Sequence, residues 1–458
     1  MSLKRLAEHL AAAPITAMPD DVTARAARVF ADTAAAIVAG MAEPEMQALL
    51  QSAGQGGPSH VLGAGFATNP GEAAFLNGAA GVFLEVDEGS LISKGHPAIH
   101  VVPALLAWAE AHPTGDGQDG QRFLRALALG YETAVRAGAA ANLRPAMHPH
   151  GTWGLLGGAA ALAVWDGADA ADIENTIKIA ASLALATSRP TMTEGATVRN
   201  AYTGIVGQNA IQARRMAKAG FTGDRDALGV VFGQVIGQNW DPAPLSDELG
   251  DDWAIRHGYF KRHACCRHNH AALDALGDLR TAHPGRISTD TVEGVEVATY
   301  ASAVNLNDPA PQTMLAAKFS LPFALATSIR RDGDTWLDAF RPPAMADAQT
   351  QALARRVRLT VDPEIDSAVP AKSMARVAVR LTDGSRIEAF REFANGDPNM
   401  PFSDADLDAK FMALTTPALG AEAAAVAHAA AFQLATSPGL TGVATAFQPG
   451  DYAARTAS

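Results

Sequence analysis

Five side chains that can carry a positive charge lie far apart in this chain, each within a segment that is otherwise small and apolar. They are His96, His148, Arg199, Lys261 and His270. The chain as a whole is acidic, with a formal net charge of -12 at pH 7. Because a buried charge is costly without a partner, isolated cations in apolar sequence are typical of a pocket for a small anion. The pattern predicts chemistry on a carboxylate.

The loop that ends at His96 combines acidic and basic side chains. It carries Glu85, Asp87, Glu88, Ser90 and Lys94. His96 lies between a glycine and a proline ahead of an apolar helix, and a fixed, partly buried imidazole can act as a general acid or base near neutral pH. We expect Glu85 or Asp87 to orient an imidazole, and Ser90 and Lys94 to contact the substrate. A solvated carboxylate cluster at a helix end is the alternative.

His148 and His150 flank a proline just before a glycine-rich helix start at residues 151–158. Free backbone N–H groups and the helix dipole at such a start favour an anion. We therefore expect His148 to be catalytic and His150 to contact the substrate. The His-x-His spacing also suits a shared metal ion, although no carboxylate-rich ligand set follows it. A structural histidine with satisfied hydrogen bonds is the remaining alternative for either residue.

Arg199 and Tyr202 lie at the start of another helix of small residues, where a guanidinium could hold a carboxylate with two hydrogen bonds. A basic run follows at residues 261–270, near the predicted change from helical to mixed structure. Clefts between domains are common ligand sites, so Lys261 and His270 are expected to hold carboxylates as well. An ordinary surface arginine and a solvated basic run are the alternatives.

The elements that must position these residues are predicted to be helices over most of the first 260 residues. Helical spacing of apolar residues begins after Pro19 and Asp20, and Gly40 is placed to end that helix. Gly220 is placed to end the last of this series. Further helices are predicted near residues 72–84, 101–111, 121–141, 152–165, 170–187 and 201–219.

The pattern changes after about residue 285. Residues 295–299 and 357–361 alternate between apolar and other side chains, as half-buried strands do. Residues 377–387 predict a hairpin, with Asp383 and Gly384 in its turn. This part of the chain is therefore expected to contain a sheet.

Helices are predicted to accompany and follow the sheet. One is expected around residues 313–330, and a capping box of Ser403 and Asp406 begins another that continues to about residue 435. The last 20 residues are expected to be loosely held. We predict a mainly α fold, in which a large all-helical domain (residues 1–262 and 403–458) carries an inserted, smaller α+β lid domain (residues 263–402).

Composition narrows the partners. Excess acid gives the wrong field for a phosphate backbone, so no nucleic acid is expected. No apolar stretch approaches the roughly 18 residues of a membrane span, and the first 21 residues become polar too soon for a secretory signal, so we expect a cytoplasmic protein with no membrane contact. Cys265 and Cys266 are adjacent and are expected to be buried structural thiols. No P-loop, dinucleotide fingerprint or serine elbow occurs, and no cofactor is expected.

At the segments described above the chain resembles the MmgE/PrpD family, which contains 2-methylcitrate dehydratase, cis-aconitate decarboxylase and iminodisuccinate epimerase. The resemblance runs nearly end to end and includes NGAAGVFLEVDEG (77–89), GHPAIHVVPALLAWAE (95–110), HPHGTWGLLGGAAA (148–161) and KRHACCRHNHAALDA (261–275). It implies a helical domain with an α+β lid, a homodimer, and chemistry without a cofactor in the cleft.

The resemblance also implies site residues. In chain order these are the aspartate-rich motif at 85–89, the catalytic-loop histidine at His96, the second histidine at His148, the lysine position before the small-residue helix at Arg199, the lid-junction lysine at Lys261 and the histidine nine residues later at His270.

Four departures from the family pattern put its standard substrates in doubt. Glu85 lengthens a carboxylate, the hydroxyl of the motif is lost at Gly89, and Arg199 replaces a lysine and cannot give up a proton at ordinary pH. Phe323 replaces a tyrosine that is common in the lid. Recognition of an anion survives all four changes.

We therefore expect a cofactor-independent lyase that removes a proton next to a carboxylate of a small di- or tricarboxylate, most similar to 2-methylcitrate dehydratase. His96 and His148 are expected as base and acid, in an order left open. Epimerisation or decarboxylation of a related acid are alternatives, since both share the stabilised carbanion. A metal-dependent hydrolase using His148 and His150, and a non-catalytic carboxylate-binding protein, are alternatives from other classes.

Overall fold

The computed structural model describes residues 1–13 and 18–450, in which helices dominate. The α-helices are α1 (Ser2–Ala12), α2 (Asp20–Met41), α3 (Pro44–Leu50), α4 (Pro70–Gly81), α5 (Pro97–Ala111), α6 (Asp119–Ala140), α7 (Gly154–Trp165), α8 (Ala170–Ala181), α9 (Pro190–Glu194), α10 (Val198–Lys218), α11 (Ala227–Val230), α12 (His270–Ala282), α13 (Ala301–Val304), α14 (Met314–Lys318), α15 (Leu321–Arg330), α16 (Pro342–Met345), α17 (Ala348–Ala354), α18 (Pro363–Ser367), α19 (Asp404–Leu419), α20 (Ala421–Phe432) and α21 (Thr441–Ala446).

The strands are short. They are β1 (Ser59–Val61), β2 (Phe66–Thr68), β3 (Gly89–Ser90), β4 (Ala141–Leu143), β5 (Gly237–Trp240), β6 (Gly258–Tyr259), β7 (Val292–Thr299), β8 (Val357–Val361), β9 (Ala375–Leu381) and β10 (Arg386–Arg391). The predicted mainly α fold is confirmed. Within the two described ranges, no helix is both long enough and apolar enough to cross a membrane.

The N-terminal half is a helical assembly in which small residues permit close packing. Helix α4 packs against α2, α5 and α10, and α7 packs against α5, α6, α8 and α10. At the crossing of α4 and α10, a Cβ on Gly78 would lie only 2.8 Å from the Cα of Gly204, and a Cβ on Gly204 would overlap the backbone oxygen of Phe75. Glycine is required here because the two backbones nearly touch.

The C-terminal half contains a four-stranded sheet in the order β10-β9-β7-β8. Strand β7 runs parallel to β8 and antiparallel to β9. The predicted hairpin is formed by β9 and β10, in which Val379 pairs with Ile387. Helix α12 packs on this hairpin, and the chain then returns to the helical half, where α19 packs against α2. The exact domain boundaries at residues 262 and 402 stay predictions.

Two helix ends differ from the predictions. Helix α2 continues through Gly40, because this glycine serves a close approach: a Cβ there would overlap the backbone oxygen of Ala80 in α4. The helix predicted to reach residue 187 ends at Ala181. The predicted stop at Gly220 is consistent with its left-handed backbone, with φ of 89°.

The segment predicted as one helix over residues 313–330 divides into α14 and α15. Ser320 causes the division, because its side chain accepts a hydrogen bond from the N–H of Phe323 and so caps a new helix. The capping box of Ser403 and Asp406 at the start of α19 is confirmed.

Both ends of the helical text hold further differences. The first 260 residues include three two-stranded pairs, β1 with β2, β3 with β6 and β4 with β5. The prediction of a loosely held C-terminus is wrong for residues 439–448, because Leu440, Val443 and Phe447 are buried in the main core. The same prediction for residues 451–458 lies outside the described residues.

Candidate active site

A cavity of about 280 Å³ is lined by residues from both halves of the chain. Seven of the predicted site residues line it: Glu85, Ser90, Lys94, His96, His148, His150 and Arg199. The sheet-containing half contributes Arg267, His268, Tyr300, Ser302, Phe319 and Ser373. A hollow of this size with several convergent polar groups suits a small organic acid.

The segment between α4 and α5 follows an unusual backbone path. Glu85 and Lys94 have φ of 58° and 57°, a region that residues other than glycine rarely occupy and that is typical of functional sites. Gly89 pairs with Tyr259 across β3 and β6, and a Cβ at Gly89 would overlap the ring of that tyrosine. The loss of the family hydroxyl at Gly89 therefore has a steric reason.

Glu85 and Asp87 are buried in a cluster with two cations. Glu85 is ion-paired with Arg199, and its Oε2 lies 3.1 Å from Nζ of Lys261. Burial raises the pKa of Glu85, but Arg199 and Lys261 outweigh burial and leave that pKa lowered. Burial also raises the pKa of Asp87, but His96 and then Lys261 lower it overall. Both carboxyl groups are therefore ionised at neutral pH.

Lys261 lies behind this cluster and does not line the cavity. It is fully buried, and its Nζ lies 3.7 Å from Oδ1 of Asp87 as well as close to Glu85. Burial lowers the pKa of Lys261, but the two carboxylates raise it overall. Its position indicates that it compensates the charge of Glu85 and Asp87, rather than holding a substrate carboxylate directly as predicted.

The hydrogen bonds of His96 fix its tautomer. Its Nδ1 lies 2.6 Å from the backbone oxygen of Glu88 and 2.9 Å from Oδ2 of Asp87. Both partners can only accept, so Nδ1 carries a proton and donates it. In the neutral ring Nε2 therefore keeps its lone pair, and Asp87 would stabilise the imidazolium that forms when Nε2 takes a proton. This is the arrangement of a general base.

His148 has the opposite tautomer. Its Nδ1 accepts a hydrogen bond of 3.0 Å from the backbone N–H of His150, so Nε2 of the neutral ring carries the proton. Burial and then Arg199 lower the pKa of His148 well below its usual range, so the ring is neutral at pH 7. Nε2 lies 3.4 Å from Nε of Arg199, and two donors thus face each other. An anionic oxygen could accept from both.

His150 lies beside both of these imidazoles. Its ring packs edge-on against His96 and His148, with centroids 5.0 Å and 4.7 Å apart. Both ring nitrogens of His150 are buried and have no hydrogen-bond partner. Burial and then Arg199 lower its pKa well below the usual range, so it is a neutral ring that can donate or accept.

Two predicted binding residues lie away from the cavity lining. The hydroxyl of Tyr202 accepts a hydrogen bond of 3.3 Å from the N–H of Ser188. Nε2 of His270 lies 3.2 Å from the backbone oxygen of Cys265, and its ring packs against His263. Direct contact of Tyr202 and His270 with a substrate stays a prediction, and their positions do not favour it.

Several lining residues were missed from the sequence. They are Arg189, Tyr259, Arg267, His268 and Tyr300. The basic run at 261–270 signalled that part of the wall, but a short 3₁₀ helix over Arg267–Asn269 precedes α12 and decides which side chains face the cavity. No sequence pattern marked Arg189 or Tyr300.

The structure does not favour the metal site considered from the His-x-His spacing. Among residues 1–13 and 18–450, no group of three or more His, Cys, Asp or Glu side chains is arranged to hold a metal ion. Nδ1 of His148 is occupied by a backbone N–H instead. Cys265 and Cys266 are buried free thiols as expected, and burial raises the pKa of Cys266 to about 11.

Comparison with known proteins places the chain in a family. The MmgE/PrpD N-terminal domain matches residues 4–235, and the MmgE/PrpD C-terminal domain matches residues 263–434. The cis-aconitate decarboxylase-like protein oryM of Aspergillus oryzae is 26% identical over 445 residues, covering 88% of each chain. The cis-aconitate decarboxylase of Homo sapiens is 26% identical over 360 residues, covering 75% of this chain and 72% of that protein. Both names denote lyases, and this chain belongs to the MmgE/PrpD family of enzymes.

Proposed function

We propose that this protein is a lyase that removes a proton next to a carboxylate of a small di- or tricarboxylate, and that water is the group that leaves. The observation that carries this proposal is the arrangement of His96. Its Nδ1 is held by the backbone oxygen of Glu88 and by Asp87, which leaves Nε2 as a base in a lined cavity. A reaction that starts at a C–H bond needs such a base.

In the proposed reaction His96 takes the proton and Asp87 remains ionised beside it. The pair of electrons of the C–H bond becomes a carbon–carbon double bond as the neighbouring C–O bond breaks. The hydroxyl leaves as water, with the proton that His96 has carried. Asp87 orients and stabilises the imidazolium and does not itself take the proton, as in other Asp–His pairs.

His148 and Arg199 are the proposed donors to the negative charge that develops on the substrate. Both point a donor nitrogen at the same place, since Nε2 of His148 lies 3.4 Å from Nε of Arg199. A neutral imidazole can act as an electrophile that polarises an oxygen, and preorganised donors of this kind stabilise a transition state strongly. Arg199 can serve here without giving up a proton, which resolves its departure from the family lysine.

Loss of carbon dioxide is the second candidate, and the names of both relatives favour it. Decarboxylation would leave the same carbanion, held by the same donors. His96 would then return a proton to carbon instead of removing one. The two reactions therefore differ in the first bond that breaks and in the small molecule released.

A mass-spectrometric screen in deuterated water tests the proposal. Citrate-, aconitate-, malate- and aminodicarboxylate-like acids are incubated with the enzyme. We expect one of them to lose 18 mass units, and the unreacted acid to gain deuterium next to a carboxylate. Loss of 44 mass units would support decarboxylation, and exchange without loss of mass would indicate an epimerase. An acid that binds but shows neither exchange nor turnover would contradict a catalytic function.

A further inference from the structure

The guanidinium of Arg267 is buried in the cavity wall with most of its donors unused. The residue is 5% exposed and lines the cavity. Only Nη2 has a hydrogen-bond partner, Oδ2 of Asp397 at 2.9 Å. Nε and Nη1 are buried without any partner. A buried donor without a partner costs about 1–3 kcal/mol, and more when it is charged. A ligand that accepts from Arg267 would remove this cost.

The guanidinium is also held in place. Its central carbon stacks at 4.4 Å from the centre of the Tyr259 ring, and Asp397 fixes its far end. Asp397 is itself tied down by the N–H of Asn399. Arg267 therefore presents its free donors without losing side-chain freedom on binding, which favours affinity and specificity.

The surroundings of Arg267 suit an anion. Of the described residues that line the cavity, Glu85 is the only carboxylate, and Arg199 and Lys261 already pair with it. The residues of the sheet-containing half near Arg267 in the lining are uncharged hydroxyl or imidazole groups: His268, Tyr300, Ser302 and Ser373. An incoming carboxylate would meet donors here without repulsion from an unpaired acid.

We propose that Arg267 binds a second carboxylate of the substrate, away from the carbon on which His96 acts, and that it thereby selects di- and tricarboxylates over acids with one carboxylate. This inference rests on the proposed function for the identity of the reacting end. Its binding part stands on the buried, unpartnered donors of Arg267. The chain offers this residue in addition to Arg199, which serves the reacting end.

Calorimetry with an unreactive acid tests the proposal. The probes are tricarballylate and its terminal monoamide, which has the same shape but one charge less. Wild-type protein should bind tricarballylate about 10- to 100-fold more tightly than the monoamide, as expected for charge-assisted hydrogen bonds. Arg267→Met should bring this ratio close to one by weakening only the binding of tricarballylate. Arg262→Met, an exposed neighbour in the same basic run, should leave the ratio unchanged.

A second variant guards against misfolding. Arg267→Met leaves Asp397 buried without its cation, whereas the double variant Arg267→Met/Asp397→Asn removes both charges and should show the same loss of discrimination. Equal weakening of both probes, an unchanged ratio, or no binding of either probe to wild type would overturn the inference. Binding through Arg267 without turnover of any screened acid would refute the proposed function alone. Turnover with unchanged discrimination in the variants would refute only the role of Arg267.

Discussion

Two glutamates of the loop after α4 are buried three residues apart and are held in opposite states. Glu85 has two cations beside it, and its pKa is lowered. Glu88 accepts hydrogen bonds from the N–H of Ala98 at 2.7 Å and from the hydroxyl of Tyr131 at 3.0 Å, with no cation bonded to it. Burial therefore raises the pKa of Glu88 to about 8. Neighbours and burial, rather than residue type, set these charges.

Glu88→Gln should change how stability depends on pH. An unfolded glutamate ionises near pH 4.5 but the folded Glu88 only near pH 8, so wild type loses stability as the pH rises through this window. Glutamine has no such proton. The free energy of unfolding of the variant, relative to wild type, should therefore rise by a few kcal/mol between about pH 5 and pH 8. Urea denaturation at both values measures the change.

The comparison with wild type removes an opposing effect. The pKa values of His148 and His150 are lowered by burial, so these residues add stability as the pH rises through the ordinary histidine range, and they do so in both proteins. The exposed Glu45→Gln is the control and should show the same difference from wild type at both pH values. A constant effect of Glu88→Gln across this pH range would show that Glu88 is ionised when folded.

Two helices bring the halves of the candidate site together. Helix α4 leads into the loop with Glu85, and α10 begins with Arg199 in its first turn. They cross at Gly78 and Gly204, where neither helix has room for a side chain. The ion pair of Glu85 with Arg199 therefore depends on how closely two backbones approach, several residues away.

Gly204→Ala should weaken both stability and catalysis. The added methyl group would overlap the backbone oxygen of Phe75, so α10 must move away from α4. Such overpacking costs about 1–3 kcal/mol. Arg199 lies about one and a half turns earlier in α10 and would move relative to Glu85, and displacement of about 1 Å in an active site can cost 100-fold in rate. Thermal unfolding and kcat/KM measure the two effects.

Gly442→Ala is the matched control for a glycine in a helix. Nothing lies within 4 Å of a Cβ at this position in α21. Because alanine favours a helix over glycine by about 1 kcal/mol, the variant should be as stable as wild type or slightly more so, with unchanged activity. Equal tolerance of Gly204→Ala would contradict the close crossing of α4 and α10.

At the scale of the whole molecule, periodicity predicted the elements but not their contacts. The long helices and the hairpin of β9 and β10 follow from the spacing of apolar residues and from the Asp-Gly turn. Gly40 was interpreted as a helix stop, because a glycine that permits a helix crossing looks the same in a sequence. The buried C-terminal turn at Val443 depends on long-range packing, which local composition does not report.

The candidate site was partly predictable for the same reason. Polar residues in apolar text identified His96, His148 and Arg199, which the fold brings to one cavity. Within the basic run, His270 was favoured over Arg267, but the cavity is lined by Arg267. The tautomers of the two histidines depend on single hydrogen bonds from residues 88 and 150, and no sequence pattern predicts those.

Solvent-deuterium incorporation into recovered substrate, measured for wild type, His96→Gln and His148→Gln, tests the central claim that His96 is the base and His148 a donor to the developing charge. Wild type should exchange the hydrogen next to a carboxylate. His96→Gln should exchange at the background rate, because the lone pair of Nε2 is gone. His148→Gln should still exchange, about 100-fold more slowly. Wild-type exchange in His96→Gln, or complete loss only in His148→Gln, would contradict the account.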